Sequence, residues 1–288
     1  MSSNSPMLWI VATPLGNPGD LSPRARAVLE EADAVLAEDT RRAGLLCARC
    51  GVTPRRFMSF HDHNEEIRLA TVLAELNAGK RLALISDAGL PLVADPGYRL
   101  VRACRAAGLP VSVVPGPSAP VTALAGSGIA PQPFAFLGFL PRDRGDREKT
   151  LAPFAALGLT LVFFERKDRL AATLTVARAV LGEREVCIAR ELTKTHEDFV
   201  CGRLLPDGRV LDRTGQALAV DDLLGEITVV IGPPEGETVA DRDAVLALIA
   251  EERKQGGSPR DVARRVQIRA RGWTVKAIYA MMTTGDKP

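Results

Sequence analysis

Short apolar, β-branched runs alternate along the first half of the chain with stretches in which apolar side chains recur every three or four residues. Strand-like MLWIVAT (7–13) is followed by a helical pattern over 22–32, then DAVLAED (33–39) and a helical pattern from Thr40. RFMSF (56–60), a helix from Asn64 to Ala78, and RLALISD (81–87) continue the series. This β-α-β rhythm predicts a mostly parallel sheet with helices on both faces. Helix starts are legible too. Ser22 with Pro23 supplies an N-cap and a first-turn proline, and Asn64 is followed by Glu65 and Glu66.

After Pro115 the texture changes. PGPSAP (115–120) and GSGIAPQP (126–133) bracket a short helix-like stretch over 121–125. Alternation then resumes through PFAFLGF (133–139), a helix from Arg147 to Ala156, LTLVFF (159–164) and a helix from Lys167 to Leu181. EVCIAR (185–190), DFVCGRL (198–204) and EITVVI (226–231) follow. EVCIAR and DFVCGRL have no helix between them, so this half is expected to include antiparallel pairing. From Asp241 the pattern is helical, broken at Gly256, Gly257 and Gly272, with Ser258 as an N-cap. The expected organisation is an N-terminal α/β domain (7–116), a second α/β domain (117–236) and a helix-turn-helix-like basic appendage (241–288).

Composition narrows the class. With 46% hydrophobic and 25% charged side chains, the 288 residues suit a globular protein. The longest apolar stretches, 159–164 and 227–231, fall well below the ~20 residues of a membrane helix. The N-terminus lacks the basic region of a secretory signal, so a cytoplasmic location and no membrane partner are expected. Five cysteines are present; Cys104, Cys187 and Cys201 lie within apolar runs and are expected as reduced core thiols. Cys47 and Cys50 form a C-x-x-C near His61 and His63, which raises zinc. No second C-x-x-C exists, however, and TRRAGLLCARCG reads as one helix ending at Gly51, so no metal site is expected. The net charge of +2 says little, whereas the segment from Arg253 to Lys276 carries eight Lys or Arg against one acid, Asp261. That segment is either a phosphate contact or a solvated helical face.

Candidate chemistry lies in loops. PLGNPGD (14–20), SDAGLPLVADPG (86–97) and PGPSA (115–119) each follow a strand-like run, and ligands of open parallel sheets bind at the carboxyl ends of strands. Prolines fix φ there and glycines allow close backbone approach, so these loops read as shaped for a ligand. No G-x-G-x-x-G follows the first strand and no G-x-x-x-x-G-K-S/T occurs, which disfavours a nicotinamide dinucleotide or ATP.

The blocks ATPLGNPGDLS, AEDTRRAGLL, HDHNE, LISDAGLPLVADPG, PGPSA, GFLPR and RELTKTHE resemble, in order and spacing, those of the small-subunit ribosomal RNA methyltransferases of the tetrapyrrole methylase superfamily. The likeness runs from about Leu8 to Ile231. It implies a two-domain tetrapyrrole methylase-like fold with a cofactor cleft between domains, and S-adenosylmethionine as methyl donor. It also implies, as acceptor, the ribose 2′-hydroxyl of a cytidine in the decoding region of 16S ribosomal RNA or the small ribosomal subunit, and a homodimer. Carried over by position, the cofactor contacts fall on Leu15, Asp87, Leu90, Ser118, Ala119, Glu165 and Thr193. Departures are visible: Leu90 stands where threonine is usual, Asp168 where histidine is usual, and residues 203–222 lack the helical pattern expected there.

Candidate catalytic groups are Glu191 and Lys194 as bases, with Arg190 and Lys194 also suited to clamp phosphate; an ion pair at a strand end is the competing reading. His61 and His63 are further candidates, although helix capping by Asp62 or Asn64 would also explain their loop. Two rival functions share the scaffold, a tetrapyrrole (precorrin-type) small-molecule methylase and a non-catalytic RNA-binding protein. RELTKTHE and the basic tail weigh against the first, and the intact donor loops against the second.

Overall fold

A computed structural model of the chain describes residues 7–62, 64–218, 220, 223–234, 242–270 and 273–284. Contacts divide it into two units, Met1–Pro233 and Pro234–Pro288. In the first, strands β1 (Met7–Val11), β2 (Ala34–Ala37), β3 (Phe57–Ser59), β4 (Arg81–Leu84) and β5 (Val111–Val114) form a wholly parallel sheet in the order β3-β2-β4-β1-β5. Helices α1 (Pro23–Glu31) and α2 (Thr40–Arg49) cover one face, where Ala25, Leu29, Ala43 and Cys47 meet Val11, Val35, Ala83 and Val114. Helices α3 (Glu65–Asn77) and α4 (Tyr98–Ala106) cover the other, packing Val72, Leu76, Leu100 and Cys104 on Leu8, Leu36, Leu82 and Leu84. Adjacent strands β1 and β4 thus pass the chain to opposite faces, and a crevice opens at their carboxyl ends.

Caps follow the chemistry of the sequence at α1 and α2 but not at α3. Ser22 Oγ accepts from Ala25 N at 3.1 Å, and Asp39 accepts from Arg41 N and Arg42 N to start α2. Asn64 instead turns back, its Oδ1 accepting from His61 N at 2.9 Å, so α3 begins without a side-chain cap.

Helix α5 (Ala119–Gly126) leads to a mixed sheet built from β6 (Phe134–Phe139), β7 (Thr160–Glu165), β8 (Glu185–Arg190), β9 (Asp198–Leu204), β10 (Val210–Leu211), β11 (Ala217–Leu218) and β12 (Ile227–Ile231). Its order is β11-β10-β9-β8-β12-β7-β6, and β6 pairs β7 in parallel while the other pairs are antiparallel. Residues 203–218, where a helix was wanting, supply the end of β9 and the β10–β11 hairpin. Helix α6 (Arg144–Leu151) starts a turn earlier than its apolar pattern predicts, because Asp143 caps it, and Pro153 converts its end to a 3-10 turn. Helix α7 (Leu170–Leu181) follows a 3-10 turn at Lys167–Arg169.

The two faces of this sheet have different partners. Leu161, Phe163, Ile188 and Val229 pack against Leu151 of α6 and Leu170, Leu174 and Leu181 of α7. Val162, Ala189 and Val230 pack against Ala123 and Leu124 of α5, together with Leu15 and Ala88 from the loops of the first sheet. Fully burying each such leucine or valine stabilises by about 1.5–3 kcal/mol, so this joint holds the two sheets as one unit. The guanidinium of Arg184, fully buried, donates to Leu181 O (3.0 Å), Gly232 O (3.0 Å) and Ala155 O (2.7 Å), and burial lowers its pKa.

The thiols correct one expectation. Cys104 is free and buried, but Cys187 and Cys201 form a disulfide. The antiparallel register of β8 and β9 sets them directly opposite, with Cα atoms 4.0 Å apart, a relationship that apolar patterning does not reveal. Cys47 faces the core, and burial pushes its thiol up to about 11.

The second unit packs α8 (Arg242–Arg253), α9 (Pro259–Arg269) and α10 (Val275–Thr284) around Val245, Ile249, Val262, Val266, Ile278 and Met282. Ser258 and Asp261 close a capping box at the start of α9. Part of its basic charge is internal. Arg265 and Arg269 bind the buried Glu252 at 2.8 and 3.0 Å, and Arg253 donates to Met282 O. Lys254, Arg260, Arg264 and Lys276 remain exposed and have no ion-pair partner among the described residues, which do not include Arg271. Also among the described residues, no helix is long and apolar enough to cross a membrane.

Candidate active site

The three glycine-proline loops converge at the crevice. Thr13 and Gly89 exchange backbone hydrogen bonds (Thr13 N to Gly89 O, 2.8 Å; Gly89 N to Thr13 O, 3.1 Å), and Ala12 N donates to Val114 O just before the third loop. Gly89 lies at φ +80°, and a Cβ there would stand 3.1 Å from Leu15 Cδ2 and 3.5 Å from Pro117 O. Only glycine lets the loops approach so closely. Backbone conformation marks the same region. Among the described residues, the four non-glycine residues with left-handed φ are Leu92 (72°) and Ala94 (67°) in the loop after β4, and Glu191 (49°) and Thr193 (64°) after β8. Each such residue costs about 1–3 kcal/mol, and such conformations concentrate where ligands are held.

Most sequence-predicted cofactor positions meet here. Leu15 is buried in the joint with α5, so what it offers a ligand is backbone. Asp87 sits at the lip, its Oδ2 2.7 Å from Arg42 Nη1, and this carboxylate holds the guanidinium above its ordinary pKa. Ser118 occupies the N-cap position of α5 but makes no capping bond, which leaves its hydroxyl unused by the helix, and Ala119 packs beside it in the joint. Thr193 Oγ1 accepts from Asn17 N at 3.1 Å, tying RELTK to the loop after β1. Leu90 packs on the α3–α4 side of the first sheet. Glu165 differs: its buried carboxylate accepts from Thr173 Oγ1 (2.6 Å) and Arg166 N (2.8 Å) and pairs with Arg169 (3.2 Å), so it stiffens the second sheet and has little left for a ligand.

The RELTK segment supplies a charged cluster against the first loop. Lys194 Nζ lies 3.0 Å from both Glu191 Oε1 and Glu226 Oε2, and Glu226 N donates to Glu191 Oε1 at 2.9 Å. Arg190 ends β8 paired with Asp198 on β9 at 3.3 Å, the strand-end ion pair. His61 Nε2 lies 3.0 Å from Asn64 Nδ2, so its loop serves the entry to α3; His63 lies outside the described residues.

A family model described as Tetrapyrrole (Corrin/Porphyrin) Methylases matches residues 7–205. The chain belongs to that family. Among its relatives, a protein named ribosomal RNA small subunit methyltransferase I from Micromonospora olivasterospora is 40% identical over 282 residues, 96% of this chain and 87% of that protein. A protein of the same name from Thermotoga maritima is 40% identical over 228 residues, 79% of this chain and 99% of that protein. The fold resembles the crystal structure of uroporphyrin-III-C-methyltransferase from Thermus thermophilus, with a TM-score of 0.53 and 23% identity, over 79% of this chain and 94% of that one.

In this tetrapyrrole methylase, electrostatics separates the roles open to the RELTK side chains. Burial works against the charge on Lys194, but its pairs with Glu226 and Glu191 outweigh it and raise the pKa, so the side chain is an ammonium. The Glu226 amide, and then Lys194, hold Glu191 below the usual carboxylate range despite some burial, which makes it a weak base. Asp95, in the loop after β4, is pushed up to about 6 by burial, with Glu38, Asp87 and Asp62 adding to the shift and a Ser86 hydrogen bond opposing it. Three members of the site escaped sequence reasoning: Arg42, Asp95 and Glu226. Glu226 had one signal, the preceding Gly225. That glycine has φ +97°, and a side chain there would overlap the Glu191 carboxylate.

Proposed function

We propose that this protein is an S-adenosylmethionine-dependent methyltransferase that methylates the ribose 2′-hydroxyl of a cytidine in the decoding region of 16S ribosomal RNA. In this reading it acts in the cytoplasm, as a homodimer, on the free RNA or the small ribosomal subunit. The observation that carries it is the seating of RELTK on the first donor loop: Asn17 N binds Thr193 Oγ1, and the Lys194 stem lies on Gly16. That contact brings a fixed ammonium and two carboxylates to the loops that would hold the donor. The name shared by the relatives supports small-subunit ribosomal RNA as the substrate.

The cleft fits the donor in chemistry. Asp87 offers one carboxylate to a cationic ligand, Ser118 a free hydroxyl, and the glycine-lined loops close backbone contact. S-adenosylmethionine supplies a methyl group already activated on a sulfonium. The chain's own task is then largely to orient the acceptor, from which about 7–11 kcal/mol of barrier lowering is attainable. Lys194, held as an ammonium, stabilises negative charge developing on the ribose oxygen or binds the neighbouring phosphate. The more exposed Glu226 is the carboxylate placed to take the hydroxyl proton. Arg190 orients β9 through Asp198, and Glu165 supports its sheet through Arg169 and Thr173. The exposed cations of the second unit add phosphate contacts.

The test is to incubate the protein with methyl-labelled S-adenosylmethionine and small ribosomal subunits. Incorporation of one methyl per subunit, with the modified nucleotide resisting alkaline cleavage, is the expected result. Labelling of a base, or of uroporphyrinogen in place of RNA, would reject the reading.

A further inference from the structure

GFLPR, a block left without a role by the cleft, ends strand β6 in an irregular way. Phe136 pairs with Val162 across the parallel β6–β7 ladder, but the next pair is Phe139 with Phe164, so one extra residue is inserted. Gly138 absorbs it at φ +65°. Bulges of this kind re-aim side chains beside functional sites. Here the result is that Phe139 stands over Phe164 with ring centroids 5.3 Å apart, while Phe136 meets the same ring edge-on at 5.0 Å. The segment beyond is pinned, since Arg169 donates to Leu140 O (2.7 Å) and Pro141 O (2.9 Å). Phe139 is nevertheless 57% exposed, an unusual setting for a ring held so firmly.

Phe139 and Phe164 wall a cavity of about 350 Å³ whose rim includes Lys167, Asp168 and Glu226. Lys167 is exposed and has no ion-pair partner among the described residues. Glu226 is shared: its carboxylate reaches Lys194 Nζ at 3.0 Å, so the cavity adjoins the charged cluster of the active site. We propose that Phe139, backed by Phe164, is a stacking platform for an unstacked base of the substrate RNA, with Lys167 on the adjoining phosphate. Aromatic faces are the usual receivers of splayed bases in single-stranded RNA, and the lysine answers the backbone. The carboxylate of Asp168 at the rim accepts hydrogen bonds from exocyclic amino groups. A base seated here places its strand beside Lys194 and the donor loops. The inference rests on the RNA reading of the active site and adds to it the residues that grip the substrate.

The experiment compares full-length wild type, Phe139→Ala and Phe139→Trp. Each is measured for binding of a decoding-region RNA oligonucleotide, methyl transfer to that RNA, S-adenosylmethionine affinity and sedimentation. Phe139→Ala is expected to raise the RNA Kd about tenfold or more, in keeping with the loss of one base–aromatic stack. It should leave S-adenosylmethionine affinity within twofold. Phe139→Trp should restore RNA binding, and its indole emission should be quenched as the oligonucleotide binds. RNA affinity unchanged in Phe139→Ala, with wild type methylating the RNA, would overturn the platform alone. A shift from dimer to monomer at unchanged RNA affinity would overturn it too and make the face a contact between two copies. If wild type methylates no RNA, the functional reading itself fails.

Discussion

Gly16 lies directly against the stem of Lys194, so closely that a methyl group on Gly16 would overlap Lys194 Cγ. The two residues lie in loops that follow strands of different sheets and are far apart in sequence, yet the loop after β1 has no side chain where Lys194 needs its space. Gly16→Ala is therefore expected to displace Lys194 from Glu191 and Glu226 and to lower methyl transfer at least tenfold while the protein stays folded. Steady-state rates and a melting curve check this. Full activity in a folded variant would show that the placement of Lys194 is unimportant.

Asp87 is the carboxylate at the lip of the cleft, and its partner Arg42 is mostly exposed. An exposed pair of this kind contributes little to stability. Asp87→Ala should consequently melt within a few degrees of wild type but bind S-adenosylmethionine at least tenfold more weakly in a calorimetric titration. An affinity within twofold of wild type would remove Asp87 from the donor site.

Asp95 gives a pH signature with a definite sign. Its pKa is about 6 in the folded protein against 3.8 ordinarily, so between those values the folded state keeps a proton that the unfolded chain releases. Stability from this group is intact below 3.8 and falls as pH rises towards 6, staying reduced above it. Asp95→Asn should melt higher than wild type at pH 7.5, and the gap should close as the pH is lowered to about 4. A gap independent of pH would mean that the carboxyl is not held uncharged by burial.

Arg184 satisfies three carbonyls from separate segments, buried ones at Leu181 and Gly232 and a partly buried one at Ala155. Arg184→Met keeps much of the volume but orphans these acceptors, at about 1–3 kcal/mol for each left without water. Urea midpoints are expected to show a loss of about 3 kcal/mol or more. A loss below about 1 kcal/mol would indicate that solvent replaces the guanidinium.

In the second unit, internal and external charge make separable claims. Replacing Lys254, Arg260, Arg264 and Lys276 by alanine should flatten the dependence of log K for RNA on log salt by up to roughly 3, taking about 0.7 per phosphate contact on single strands. Arg265→Ala should instead destabilise this unit by leaving the buried Glu252 with one cation in place of two. Equal salt slopes in wild type and the fourfold variant would make the exposed cations a solvated face only.

By itself the sequence determined the alternation of strands and helices, most of the caps and the three loops that meet at the crevice. Each of these rests on interactions within a few residues: the period of apolar side chains, a serine three residues before an amide, a proline fixing its own φ. What it left open involved partners distant along the chain. Nothing near Cys187 announces Cys201 across the β8–β9 register, and a charge count over 253–276 cannot tell that Arg265 and Arg269 turn inward to Glu252. The site divides in the same way. Asp87, Ser118 and Thr193 were singled out by the resemblance of their sequence blocks, whereas the joining of Lys194 to Gly16, of Glu226 to Lys194 and of Phe139 to Phe164 was decided by packing of the two sheets and by a bulge in one ladder. Hydrogen bonds, ion pairs and ring contacts act over a few ångströms, so only the folded chain brings such partners within reach.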